Sequence, residues 1–146
     1  MEVNRSAPVV ASATIEIAAA PEVVWDLLAD ITQWPEWNAD VKSASLAGAV
    51  ESGEVFRWRA GPARLISTLQ TVERPTELSW TGRTMGMSAV HVWRFESDGD
   101  TTTAHTEESW EGAPAKLLPR MMHRSLQKSL DAWLAELKTA AEAGAR

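Results

Sequence analysis

Of the side chains in this sequence able to move a proton, His91 and Glu108 have the most informative neighbours. His91 lies in Ala89-Val90-His91-Val92-Trp93 and Glu108 in Thr106-Glu107-Glu108-Ser109-Trp110, runs whose period-two alternation marks half-buried strands. A carboxylate beside an imidazole can hold its tautomer, raise its pKa, or form an acid/base pair for enolate or dehydration chemistry. Buried polar residues also pair merely to satisfy one another. Gln70 and Thr106 are the further polar groups placed to orient a carbonyl beside such a pair. Other chemistries find little support: the three histidines have no short spacing, no glycine-rich phosphate loop precedes a helix, and no serine stands in a nucleophile elbow. No metal and no cofactor is therefore expected.

Whether His91 and Glu108 meet depends on turns. A two-residue turn at Asp98-Gly99 would set Ser97 opposite Asp100 and predicts the pairs Phe95 with Thr102, Trp93 with Ala104, His91 with Thr106 and Ala89 with Glu108. His91 and Glu108 are then diagonal neighbours on one face. A similarly tight turn at Met85-Gly86 sets Trp80 opposite His91 and Leu78 opposite Trp93; continuing through Pro75 brings Val72 beside Leu78 and Gln70 beside Trp80. Thr68 shares Gln70's face by alternation, and Phe56 and Trp58 join it across Gly61-Pro62. This face holds Trp58, Trp80, Trp93, Phe56 and Phe95, whereas the other carries Arg57, Arg59, Arg83, Arg94, His105 and Glu107, so the first is the inner face.

Strands are expected at 12–17, 41–46, 54–60, 64–73, 77–83, 88–96 and 101–110, with turn chemistry at each break after the second. Residues 1–10 read as a loose tail. Pro21 suits the first turn of a helix whose Val24, Leu27, Leu28 and Ile31 bury one side, and Asp30 with Gln33 resembles a capping box for one more brief turn. Trp34-Pro35-Glu36-Trp37-Asn38 forms a compact corner. The longest periodic stretch, 113–143, must cover the sheet: Leu118, Met122, Leu126, Leu130, Trp133, Leu134 and Leu137 share one helical face. A helix over 119–143 runs about 37 Å at 1.5 Å per residue, with Pro119 at its first position or at a kink. Met121, Met122, Ser125 and Leu126 on that helix are expected to roof a pocket, since thioethers adapt to irregular shapes and serine leaves space.

Composition narrows the classes. The 146 residues suit one domain, 1–146, with 45% hydrophobic and 23% charged residues, an ordinary globular balance. A net charge of −6 without a basic run argues against nucleic acid and anionic membranes. Zero cysteines exclude disulfides and thiolate chemistry, and no stretch suits a membrane span or a secretion signal, so a cytoplasmic protein is expected. The eight tryptophans, with no tyrosine, indicate a sound core or a cavity for flat ligands.

Local patterns then bring a resemblance. Ala20-Pro21-Glu22-Val23-Val24-Trp25-Asp26-Leu27-Leu28 followed by Trp34-Pro35-Glu36-Trp37 resembles the opening of the SRPBCC superfamily, also called START-like or helix-grip, and in particular its polyketide cyclase/dehydrase-like branch. Val72-Glu73-Arg74-Pro75, Leu78-Ser79-Trp80, Trp93-Arg94-Phe95 and Glu111-Gly112 agree with it. The resemblance implies an α+β helix-grip fold of the START/Bet v1-like kind. In such a fold a curved antiparallel sheet of about seven strands, with two short helices after the first strand, grips a long C-terminal helix over a hydrophobic cavity. It further implies binding of lipids or aromatic compounds, or cyclisation and dehydration of polyketides.

Two functional expectations follow, with a third from another class. The first is binding of a hydrophobic small molecule, aromatic or lipid-like, by Phe56, Trp58, Thr68, Gln70, Trp80, Ala89, Trp93, Thr106, Met121, Met122, Ser125 and Leu126, in a monomer or homodimer with no nucleic acid and no membrane insertion. The second is a cyclase or dehydratase with His91 and Glu108 as catalytic acid and base. The third is a protein-interaction module with an apolar patch at the Trp34 to Trp37 corner.

Overall fold

The computed structural model describes residues 1–144. Strand β1 (Val9–Ile17) leads into helix α1 (Pro21–Ala29), a 3-10 turn (Ile31–Gln33) and helix α2 (Trp34–Trp37). Six strands follow, β2 (Val41–Leu46), β3 (Val55–Ala60), β4 (Ala63–Glu73), β5 (Glu77–Thr84), β6 (Met87–Asp98) and β7 (Thr101–Gly112), then helices α3 (Ala113–Leu117) and α4 (Pro119–Gly144). All neighbours in the seven-stranded sheet are antiparallel, in the order β1-β7-β6-β5-β4-β3-β2. This is the α+β helix-grip arrangement, with α4 laid against β1 and the inner face of the sheet.

Local chemistry explains the element boundaries. Pro21 and Pro119 stand at first helical positions, where a missing N–H costs nothing and the ring presets φ. Leu118, expected to begin the apolar stripe of α4, is instead the non-helical joint between α3 and α4 and is exposed. The stripe proper is Leu126, Leu130, Trp133, Leu134, Leu137 and Ala141. At Asp30 the side chain makes no capping bond; its carbonyl accepts the Gln33 N–H at 3.0 Å, so the predicted box is replaced by a backbone turn.

Three further expectations change. The first eight residues are not loose: Val3 is buried, the Asn4 N–H donates to Ser109 Oγ at 3.0 Å, and Arg5 pairs with Glu107 at 2.8 Å across the outer face. The β6–β7 turn is Gly99-Asp100, with Gly99 at φ +65°, so Asp98 pairs with Thr101 and each cross-strand partner moves by two residues. Faces are conserved by an even shift, but His91 now lies directly opposite Glu108. Finally, Leu69 rather than Gln70 pairs with Trp80, because a bulge between Leu69 and Val72 inserts one residue into β4 and reverses its alternation. The Ser79 hydroxyl accepts the Thr71 N–H there at 3.0 Å.

The core is aromatic. Trp34, fully buried, makes edge-to-face contacts with Phe56, Trp58 and Trp133 at centroid distances of 5.6, 5.2 and 5.1 Å, and its indole N–H donates to the Leu28 carbonyl at 2.8 Å. The corner that a partner-binding patch would need has Trp34 inside this cluster and Trp37 packed against it.

Candidate functional site

Strand alternation sends His91 from β6, and Thr106, Glu108 and Trp110 from β7, to the inner face. They form one hydrogen-bonded line. The Trp110 indole N–H donates to Glu108 Oε2 at 2.7 Å, and Glu108 Oε1 lies 3.2 Å from His91 Nδ1. His91 Nε2 lies 2.8 Å from Thr106 Oγ1, which in turn donates to the Val92 carbonyl at 3.2 Å.

The far end of this line assigns the protons. A carbonyl only accepts, so the Thr106 hydroxyl spends its hydrogen on Val92 and accepts from His91 Nε2–H. His91 Nδ1 is then a lone pair in the neutral ring, and the 3.2 Å contact is a hydrogen bond only if Glu108 Oε1 carries the proton. Electrostatics point the same way. Burial pushes the Glu108 carboxyl up to about 7 against the lowering effect of the Trp110 N–H, and burial pushes the His91 imidazole down to about 3. Between about pH 3 and 7 the pair is thus a neutral acid beside a neutral base.

A cavity of about 320 Å³ opens between the β3–β4 and β5–β6 hairpins and the first half of α4. Trp58, Leu65, Met87, Trp110, Met122 and Trp133 supply its apolar wall, and Thr84, Glu108, Ser125 and Ser129 some of its polar points. Thr84 Oγ1 is buried and finds no hydrogen-bond partner among the described residues. Small side chains make the space: Ala60, Ala63, Gly82 and Ala89 on the sheet face the two serines of α4.

The predicted site divides accordingly. Trp58, Ala89, Glu108, Met122 and Ser125 line the cavity together. Phe56, Trp80 and Trp93 belong to the packed core, and Leu126 to a second apolar cluster with Val9, Ala11, Ala115 and Leu130. His91 and Thr106 are buried behind Glu108 and do not line the space, so of the proposed acid/base pair only Glu108 borders the cavity. Thr68 and Gln70 face outward, Gln70 donating to Thr81 Oγ1 at 3.2 Å, because the β4 bulge makes Ser67 and Leu69 the inward residues. Met121 is exposed, one position around the helix from Met122. Sequence reasoning missed Trp110, although it continues the inward series Thr106, Glu108 and so carried a readable signal; among the small lining residues it named Ala89 and Ser125 but missed Ala60, Ala63, Gly82 and Ser129, which carry none.

Residues 8–142 match the sequence profile described as polyketide cyclase / dehydrase and lipid transport. The chain belongs to this family. No curated protein matches the sequence. Among solved structures, this polyketide cyclase/dehydrase family member is similar to a hypothetical protein from Helicobacter pylori, at TM-score 0.84 and 18% identity over 94% of this chain and 90% of that one. It is also similar to the ZhuI aromatase/cyclase from Streptomyces sp. R1128, at TM-score 0.81 and 14% identity over 94% and 95%. A START superfamily protein from Mycobacterium smegmatis aligns at TM-score 0.77 and 16% identity over 91% and 97%. At these identities the likeness is one of fold.

Proposed function

We propose that this protein binds a small, largely apolar molecule, aromatic or lipid-like, in the cavity between the two hairpins and α4. The observation that carries the reading is the cavity itself: its volume of about 320 Å³ falls at the lower end of ligand pockets, and its wall is mainly tryptophan, leucine and methionine. The Glu108 carboxyl and the Ser125 and Ser129 hydroxyls favour a guest with one or two hydrogen-bonding groups. Trp58, Trp110 and Trp133 in the wall make indole fluorescence the direct readout. Titration with naphthol, anthraquinone and fatty-acid probes is expected to change that fluorescence saturably, and Ala89→Phe, which fills the space, is expected to abolish the response without unfolding the chain. Equal binding by Ala89→Phe would place the guest elsewhere.

A second reading is favoured by the proton on Glu108. In a dehydratase, the Glu108 O–H would turn from His91 Nδ1 to a substrate hydroxyl and protonate it as the C–O bond breaks, so that water leaves with the bonding pair. The carboxylate left behind would take a proton from the neighbouring carbon, whose C–H electrons close the double bond, and Glu108 would return to its acid form. His91 and Thr106 would be positioning residues that hold the carboxyl. Dehydration of a β-hydroxy aryl ketone, followed by enone absorbance, tests this: Glu108→Gln is expected to keep binding and lose turnover, and unchanged turnover would remove the reading.

A further inference from the structure

We infer that the rim of the cavity is a docking surface for an anionic lipid bilayer, with Leu117, Leu118, Met121 and Met85 as the side chains that enter its surface. Seven large hydrophobic residues of the described chain are exposed, and these four, at 76, 50, 55 and 74%, gather at one end. Residues 116–121, Lys-Leu-Leu-Pro-Arg-Met, which are the end of α3, the Leu118 joint and the start of α4, are exposed without interruption although three of the six are large and apolar. Met85 belongs to the same rim: it lines the cavity with Met122, and the β5–β6 turn it forms with Gly86 touches Gly112, from which α3 departs.

Charge identifies the occupant. The net charge of −6 led to the expectation that anionic membranes are repelled, but the charge is not evenly spread. Residues 112–130 contain Lys116, Arg120, Arg124 and Lys128 and no Asp or Glu, a local +4. The remaining 10 lysines and arginines face 20 acidic residues, a charge of −10 for the rest of the chain. None of the four cations forms an ion pair among the described residues, and all are exposed. Protruding leucines and methionines set among unpaired cations fit the boundary between acyl chains and anionic headgroups, where apolar tips insert and cations contact phosphates. The acidic remainder would be repelled, which turns the cavity mouth toward the bilayer. No helix of the described residues is long and apolar enough to cross a membrane, so the contact is peripheral.

Co-sedimentation with phosphatidylcholine vesicles, with and without phosphatidylglycerol, tests this. Binding is expected only when phosphatidylglycerol is present, and it should weaken as salt is raised. Arg120→Glu with Arg124→Glu should lower the partition coefficient by about tenfold or more, and Leu117→Ser, Leu118→Ser and Met121→Ser together should lower it comparably at unchanged charge. These side chains are exposed, and an unchanged urea midpoint confirms the fold. The inference is independent of what the cavity holds, so Ala89→Phe should bind vesicles as the parent does. Absence of vesicle binding, binding indifferent to either set of substitutions, or binding to soluble polyglutamate in place of vesicles would overturn it.

Discussion

The two ends of the inner face use the same aromatic residues to opposite effect. At one end Trp34 from α2 drops among Phe56, Trp80 and Trp133, and nothing is left between the rings. At the other, Trp58, Trp110 and Trp133 stand around open space, because Ala60, Ala63, Gly82 and Ala89 face Ser125 and Ser129 with no residue of Trp34's size to fill the gap. Aromatic surplus therefore does not make a cavity. The hollow is created by small residues on both walls and by the absence of a plug.

That contrast sets the scale of the expected effects. Trp34→Ala opens a hole in the closed end and strands the Leu28 carbonyl, so a loss of about 3–5 kcal/mol is expected in urea denaturation. Trp110→Ala, whose ring already borders space, should cost less than half as much; equal losses would mean the two ends are packed alike.

Glu108→Gln probes the open end through pH. Its folded-state value of about 7 exceeds the ordinary 4.5, so the native state holds a proton that the unfolded state releases, and stability falls as pH rises through that interval. His91, lowered from 6.5 to about 3, contributes the opposite slope, and the two cancel between 4.5 and 6.5. Above 6.5 only the Glu108 loss remains, and it is complete near 7, so the net alkaline decline is about 0.7 kcal/mol at 1.36 kcal/mol per unit. Relative to the parent, Glu108→Gln is expected to lack that alkaline decline in its urea midpoint; parallel curves would mean that Glu108 ionises freely.

Thr106→Val removes the acceptor of His91 Nε2–H in a fully buried site, at a cost of about 1–3 kcal/mol, and the shift of the His91 ring nitrogens in nitrogen NMR would report the change of tautomer. The smallest effects belong to the outer face. Thr68→Ala and Gln70→Ala should stay within about 0.5 kcal/mol and leave ligand titrations unchanged, and a binding defect in either would return β4 to the unbulged register.

Much of the fold could be read from periodicity. The strand series and the inward direction of His91, Trp93 and Glu108 follow from alternation, which survives a register shift of two residues; of the two places proline chemistry left open for Pro119, the structure takes the head of α4. What alternation cannot survive is an odd insertion. The β4 bulge carries no glycine or proline to announce it, and it turned Thr68 and Gln70 outward. Depth was equally hidden, since Thr106 and Glu108 share a face, yet only the second borders open space. Nor does net charge disclose where charge sits: a total of −6 concealed the acid-free stretch 112–130.

Gly112 joins several of these features. At φ +118° it holds a conformation that side chains rarely adopt, and a Cβ there would come within 2.3 Å of the Gly86 carbonyl oxygen. Main chain therefore rests on main chain where the β5–β6 hairpin meets the start of α3, with no compressible side chain as a cushion. Force applied to the exposed leucines beyond α3 would reach the hairpin as if through a rigid lever, and a single methyl group at this point would act as a wedge, prising the two lips of the cavity apart.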